Sequence, residues 1–432
     1  MRNKILVFAI FIFLLPAVKL SGQKNINSPY SRFNLGILNR PGTFRSLAMG
    51  GISISARDNN TITFTNPASY TSFDTSSFVF DMGMDLSSLT IKYPKNSYST
   101  TDMNFRHILM GFPLSKKICV AAGVIPYSNG YYYISETITK NNLGWDPITG
   151  DYTSMHKGSG SIATFFAGTG IDITKNLSAG LNFNLLFGNL ERLNQFELAE
   201  YQTSFHQSAT ENFNINGFNF DYGIQYTKNI KKDYLLTSGV SFTSSKYYKS
   251  DFKILKERYS AYVYPPFSPD TLSYYNSTSK DSTRLPATLR FGISIGKKDK
   301  FVAGFDFIYT NWSDAVIHGG TAEMTNTYTY MLGVEYIPDK YSNISFLRRI
   351  EYRLGTHLSN DYLVLNGVNI KEYGISGGFA VRLQNSLSKA TFFFDYTNRK
   401  GDISRGVHDE SIFSAGVSLN LYDFWFIKRK YE

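Results

Sequence analysis

Apolar and polar residues alternate along most of the chain from residue 75 onward. Between 411 and 426, Phe413, Ala415, Val417, Leu419 and Leu421 fall on one side of an extended backbone, and Ser414, Gly416, Ser418 and Asn420 on the other. A period of two predicts a strand with one apolar and one polar face. The same rhythm sets Phe218, Phe220, Tyr222, Ile224 and Tyr226 against Asn219, Asp221, Gln225 and Thr227. It sets Phe301, Ala303, Phe305, Phe307 and Tyr309 against Val302, Gly304, Asp306, Ile308 and Thr310. It also sets Tyr373, Ile375, Phe379, Val381 and Leu383 against Ser376, Ala380 and Arg382. In all, the pattern predicts about fourteen strands: 77–93, 102–114, 117–135, 158–173, 176–190, 211–228, 234–249, 284–296, 300–312, 324–337, 350–359, 370–384, 389–400 and 411–426. The number is even, as in single-chain bacterial barrels.

A soluble sandwich can alternate in the same way, with its apolar face inward. Length separates the two. These runs are mostly 10 to 18 residues, whereas a soluble strand has about 5–6 and a membrane crossing needs about 9–11. The expected fold class is therefore all-β, a transmembrane antiparallel β-barrel over 75–427. Its last strand must pair with its first, because hydrocarbon offers no partner to an open edge. The connections support this. Those at 115–116, 174–175, 229–233, 297–299 and 385–388 are short, and those at 136–157, 194–210 and 250–283 are long. Short periplasmic turns facing long outer loops are the barrel pattern. The stretch 250–283, with Pro265, Pro266 and Pro269, is expected to be the largest external loop and a candidate lid. The connection 338–349 breaks the rule, being long on the short-turn side.

Composition sharpens the class. Charged residues are 18% and aromatic residues 16%, which suits a wall that partly faces lipid between aromatic girdles. The formal net charge of +10 lies largely in turns such as Lys116-Lys117, Lys231-Lys232, Lys297-Lys298 and 428–430. No long basic stripe accompanies it, so no nucleic-acid partner is expected. Residues 1–22 read as a signal peptide. Arg2 and Lys4 form its basic start, 5–15 its apolar core, and Leu20-Ser21-Gly22 its exit. No later run reaches the roughly 18 apolar residues of a spanning helix. The single Cys119 excludes an intramolecular disulfide. Residues 428–432 are left as a periplasmic tail.

The stretch 23–74 is rich in Gly, Asn and Ser and alternates only weakly. Within it, 47–70 holds Ala48-Met49-Gly50-Gly51, then Asp58-Asn59-Asn60, then Asn66-Pro67-Ala68. This string resembles the N-terminal hatch of FadL-type outer-membrane channels. The preceding stretch 28–36 resembles related barrels of Bacteroidetes-type bacteria. The order Ser414, Gly416, Leu419, Leu421 resembles the sorting signal on the final strand of bacterial outer-membrane barrels. The resemblance implies a Gram-negative outer-membrane protein with 23–74 as a luminal hatch near the periplasmic mouth. Ala48, Gly50 and Gly51 would allow close approach to the wall, and Pro67 would fix the turn held by the Asn66 amide. It further implies passive uptake of hydrophobic molecules such as long-chain fatty acids. Implied partners are outer-membrane lipids and the barrel-insertion machinery during biogenesis. The alternative reading is a non-transporting barrel subunit of an outer-membrane secretion or assembly complex, with a complex partner.

Catalytic and metal signatures are weak. Gly292-Ile293-Ser294-Ile295-Gly296 matches G-x-S-x-G but lies inside an alternating strand, with no helix to form a nucleophile elbow. Gly158-Ser159-Gly160 lacks the following helix of a dinucleotide site. The six histidines show no metal-ligand spacing. No enzyme activity and no cofactor are expected. What stands out is charge on the polar strand faces: Arg290, Asp306, Glu335, Glu351, Arg353, Arg382 and Asp395. A basic residue on the lipid face at mid-depth costs roughly 2–4 kcal/mol, so these side chains are expected in the lumen. They would form an ion-pair network or line a polar conduit, and Arg382 or Asp395 could tether the hatch.

Overall fold

The computed structural model of the protein describes residues 28–425, apart from 94–95, 143, 199–204, 232, 261–269 and 384–385. The expected signal peptide, the tail 428–432, and Pro265, Pro266 and Pro269 lie outside the described residues. One antiparallel sheet closes on itself through fourteen wall strands. They are β1 (Ser77–Lys92), β2 (Ser97–Pro113), β3 (Ile118–Asn129, continued by Tyr132–Ile138), β4 (Tyr152–Asp172) and β5 (Leu177–Leu198). Next come β6 (Phe205–Lys231), β7 (Tyr234–Thr243, continued by Lys246–Ser260), β8 (Asp270–Leu285, continued by Thr288–Lys297) and β9 (Phe301–Thr310). The circuit ends with β10 (Thr327–Tyr336), β11 (Glu351–Leu365), β12 (Val368–Arg382), β13 (Lys389–Lys400) and β14 (Asp409–Phe424). The seam runs from Phe424 opposite Ser77 to Asp409 opposite Lys92, so the last strand pairs with the first along its whole length.

The alternation resolves into an outside and an inside. Leu332, Val334, Leu354, Ile375, Phe394, Phe413 and Leu419 are exposed on the outer surface, while Glu335, Arg353, Ser376, Asp395 and Asn420 on the same strands are buried inside. Exposed apolar rows make sense only against lipid, and they place this barrel in a membrane. No described helix is long and apolar enough to cross one.

The expectation of a large loop at 250–283 is corrected. Its described residues form the upper parts of β7 and β8, paired from Lys246 opposite Leu285 to Arg258 opposite Asp270. β4, β5 and β6 are likewise longer than expected, at 21, 22 and 27 residues. A crossing needs only about 9–11, so these strands rise into water on the outer side. On the inner side, the long connection after β10 contains a 3₁₀ turn, Phe346–Arg349.

Residues 28–74 lie inside the barrel. Their ordered pieces are short: 3₁₀ turns at Pro29–Arg32 and Pro67–Ser72, and one helical turn, α1 (Phe44–Leu47). Packing against the wall holds them. Ile62, Phe64, Tyr70 and Phe73 cluster with Val79, Leu109, Phe166 and Tyr422. Phe44, Leu47 and Ala48 pack on Phe393, and Met49 and Ile52 on Met331. Higher up, Tyr30 and Leu35 join Trp312 and Tyr362.

Candidate functional site

The luminal segment is held first by its own turn chemistry. Asn66 caps the turn Pro67–Ser72, its Oδ1 accepting from Ala68 N at 3.2 Å. Pro67 follows at the first position, where its missing N–H costs nothing. The other arm of Asn66 donates to Ile54 O at 2.9 Å, and Gln225 of β6 donates to the same carbonyl at 2.8 Å. The wall supplies the remaining partners. Asp306 Oδ2 of β9 accepts from Ser53 N and Ile54 N at 2.6 and 2.8 Å. Ser376 Oγ of β12 accepts from Gly50 N at 2.9 Å. Asn182 donates to Phe64 O, Ser241 to Thr65 O and Asn420 to Asn60 O. Irregular backbone inside a barrel must find partners for its N–H and C=O groups, and inward polar side chains of the strands provide them.

The wall also recedes where the segment touches it. A Cβ on Gly333 would lie 2.1 Å from Met49 O, and one on Gly355 would lie 2.1 Å from Gly50 N. Gly239 faces Ile54 O, Gly223 faces Asn66 and Gly180 faces Pro67 with the same lack of room. These glycines are register neighbours: Gly180 opposite Gly223, Gly239 opposite Gly292, and Gly333 opposite Gly304 on one side and Gly355 on the other. They form a belt on the inner wall. Gly292 of the G-x-S-x-G match belongs to it, and Ser294 Oγ donates to Ser55 O. That motif therefore serves packing here. The signal was present in the sequence as glycines on the polar faces of neighbouring strands, but reading it requires the register.

Charges tie the segment down at two levels. Arg45 bonds Glu335 at 2.9 Å and Asp58 at 3.3 Å. Arg353 bridges Glu335 and Glu351, both at 2.6 Å, and Lys389 reaches Glu351 at 2.7 Å. Above, Arg40 bonds Asp395 at 2.8 Å and contacts the His357 ring. Arg399 joins Glu372 at 2.9 Å to Glu410 at 3.4 Å, and Ser28 donates to Glu410. Thus Asp58, Glu335, Glu351 and Arg353 are brought together with Arg45 at the lower level, and Asp395 meets Arg40 at the upper one; neither Arg40 nor Arg45 was singled out by the sequence. Arg290 stands apart, donating to Thr243 Oγ1 at 2.8 Å. Of the two candidate tethers, Asp395 reaches the segment through Arg40; the other is Arg382. It sits on the inner side of β12 near the strand's end, its Nε has no partner, and among the described residues no ion pair joins it to the segment. No described group of His, Cys, Asp and Glu has a metal-holding arrangement.

Above the belt the lumen is not filled. A cavity of about 330 Å³ is lined by apolar and aromatic residues, among them Phe166, Leu186, Tyr248, Trp312 and Tyr362, and by charged ones, among them Arg40, Arg106, Asp221 and Arg290. A second cavity of about 150 Å³ shares Leu38, Asn39, Arg40 and Arg106 with it and reaches Thr100, Asp102 and Asn104 of β2. The wall is interrupted there. β2 pairs with β3 only from Ile108 opposite Val124 to Pro113 opposite Cys119. The upper part of β2, from Ser97 to His107, pairs only with β1 among the described residues. Facing it, β3 turns away. Ile37 and Leu38 of the luminal segment pair with Asn129 and Ser128, and Tyr127 bulges from the ladder to β4. Pro126 precedes that bulge and has no N–H to give to a neighbouring strand, the usual mark of a bulge or edge. Arg106 is skipped at a second irregularity, on β2.

This architecture recurs in solved structures. It matches the CymD monoaromatic hydrocarbon channel (TM-score 0.58, 13% identity, 93% of this chain and 100% of that chain). It matches the Ralstonia pickettii toluene transporter TbuX (TM-score 0.56, 13% identity, 87% and 97%) and a Pseudomonas aeruginosa FadL homologue (TM-score 0.53, 12% identity, 90% and 98%). At such identities the likeness establishes the fold alone, a FadL-type barrel. Among curated proteins, none matches the sequence. A family model described as BamG matches residues 1–432, the full length, and the chain belongs to the BamG family.

Proposed function

We propose that the protein admits small apolar or amphipathic molecules to its upper lumen and passes them sideways into the membrane between β2 and β3. Residues 28–74 act as the hatch that closes the axial route. The observation that carries this reading is the unpaired upper edge of β2, with two cavities that share residues leading to it. An open strand edge facing hydrocarbon is costly. Its persistence is explained if the gap is a passage lined by polar side chains on its inner face. The larger cavity suits a molecule with an apolar body against Phe166, Leu186 and Trp312 and an anionic head near Arg106 and Arg290. A long-chain fatty acid has both parts. The test is uptake of a labelled long-chain fatty acid into proteoliposomes. Replacing Thr100 and Asn104, which line the passage, with Trp should abolish uptake while leaving a heat-modifiable, folded barrel. Uptake equal to wild type would refute the sideways route.

A second reading has its own observation. The segment is fastened around the wall by backbone bonds, ion pairs and the glycine belt, as suits a sealed barrel that serves an outer-membrane assembly complex without transporting. Absence of fatty-acid uptake by the intact, folded protein would favour it over the first.

A further inference from the structure

The connection between β10 and β11 serves neither the lumen nor the wall. It is long where the other described inner-side turns are short, yet it is well folded. Lys300 Nζ donates to Pro338 O at 2.6 Å, and Ile337 N donates to Lys300 O at 2.7 Å. Lys340 bonds Asp299, Tyr341 donates to the same carboxylate at 3.3 Å, and Asp339 N donates to Arg348 O at 2.8 Å. A loop held at this many points presents its surface in a defined direction.

That surface combines two chemistries. Ile344 is 90% exposed, Leu347 64% and Phe346 51%, on a protein part that lies at the rim of a membrane barrel. Beside them stand Arg348 and Arg349, the latter over the Phe346 ring at 5.7 Å. The two connected turns, 297–300 and 338–349, carry six basic residues and two acidic ones. Lys340 is neutralised by Asp299, whereas Arg348 has no side-chain partner among the described residues and lines a cleft with Lys300 and Tyr341.

One bond fixes which way the loop faces. Tyr352 is on the lipid side of β11, directly opposite the lipid-side Tyr336 of β10. Its hydroxyl donates to Leu347 O at 3.1 Å. The 3₁₀ turn is therefore pinned to the outer circumference of the rim, over the aromatic girdle, and not beneath the lumen. A protein docking from the periplasm would meet the end of the barrel. A phospholipid of the inner leaflet meets this face.

We propose that the β10–β11 loop is a lipid-binding element that seats an anionic phospholipid of the periplasmic leaflet. Ile344, Phe346 and Leu347 enter the headgroup–acyl boundary, and Arg348 with Lys300 takes the phosphate-bearing headgroup. Amphipathic elements with apolar and basic residues bind interfaces in this way, more strongly when the lipid is anionic. The proposal is independent of whether the lumen conducts.

The test uses the full-length protein reconstituted in nanodiscs or detergent. Titration with phosphatidylglycerol and phosphatidylcholine should show about a tenfold preference for the anionic lipid, and Arg348→Ser with Arg349→Ser should reduce that preference roughly fivefold. Separately, Leu347→Trp should add a fluorescence component quenched by brominated phospholipid, relative to the wild-type background. Both variants should keep the heat-modifiable mobility of a folded barrel. Equal binding of the two lipids by the wild type, or an undiminished preference in the double variant, overturns the proposal. So does a Leu347→Trp component untouched by brominated lipid, because the loop then stands in water, free or ready for a protein partner.

Discussion

The closeness of wall and luminal segment can be tested with one methyl group. At Gly355 on β11 an added Cβ would sit 2.1 Å from Gly50 N, where ordinary contact begins near 3.4 Å. The Cβ position is fixed by its own backbone and the atoms it meets are backbone too, so no rotamer relieves the clash, and Met49–Gly50 must retreat by on the order of 1 Å. Gly50 cannot retreat freely, because its N–H is held by Ser376 Oγ at 2.9 Å on the neighbouring strand. Overpacking of this kind costs about 1–3 kcal/mol, and a lost buried hydrogen bond adds about 1 kcal/mol. Gly355→Ala should therefore destabilise the seated segment by about 2–4 kcal/mol. The barrel has its own closed ladder and should still fold. The expected result in planar bilayers is a heat-modifiable barrel with frequent conductance openings, and faster proteolysis within residues 40–60. Gly377→Ala on β12 is the control, because its nearest non-neighbouring atom is Arg353 O at an ordinary 3.5 Å. If Gly355→Ala is as quiet and as protected as Gly377→Ala, the wall has room for a side chain and the belt does not hold the segment.

Three further outcomes follow from the same geometry. Leu419 is 40% exposed on the lipid face, whereas Asn420 is 5% exposed and donates to Asn60 O. Leu419→Arg should lower folded yield in lipid by up to roughly 2–4 kcal/mol of insertion free energy, while Asn420→Ala should insert normally and expose the segment to protease. Asp306→Ala should leave the N–H groups of Ser53 and Ile54 without their shared acceptor, at about 1–3 kcal/mol each, which limited proteolysis of 50–60 would register. Arg45→Met should do more than remove a surface pair would, because Glu335 and Asp58 are both largely buried beside it. Loss of one partner from such a set costs about 3–5 kcal/mol, and the readout is again conductance.

How much of this could be read in the sequence depended on whether each residue met two different environments. Leu419 faces lipid and Asn420 the lumen, so alternation revealed both, and the inward charges Glu335, Glu351 and Arg353 followed from the same rule. Above the bilayer β7 and β8 meet water widely, and apolar alternation fades through residues such as Lys253, Lys256, Glu257 and Ser273. The proline-rich stretch between them then made a projecting hairpin look like a loop. Arg40 lies on irregular backbone and Arg45 on a single helical turn, too short for any period to tell which way a side chain points. The gap beside β2 is a missing long-range pairing. Its only local sign was Pro126, which a strand may also carry at an edge or bulge.

The firm seating of the segment and the proposed passage are compatible only if transport does not require the segment to leave. The belt lies toward the inner half of the wall, where Gly333 and Gly355 touch Met49 and Gly50. The unpaired edge of β2 lies in its upper half, at Ser97 to His107. A molecule entering from outside would reach the gap before reaching the belt. A covalent lock separates the two possibilities. A Cβ built on Gly378 lies 2.9 Å from Ala48 Cβ, and a disulfide needs about 3.5–4.5 Å. Ala48→Cys with Gly378→Cys should therefore cross-link after a small local shift. Buried Cys119 should not compete. Oxidation of the double variant should leave the bilayer electrically closed and fatty-acid uptake intact. If oxidation stops uptake and reduction restores it, the segment must move for passage, and the route runs through the hatch and not through the wall.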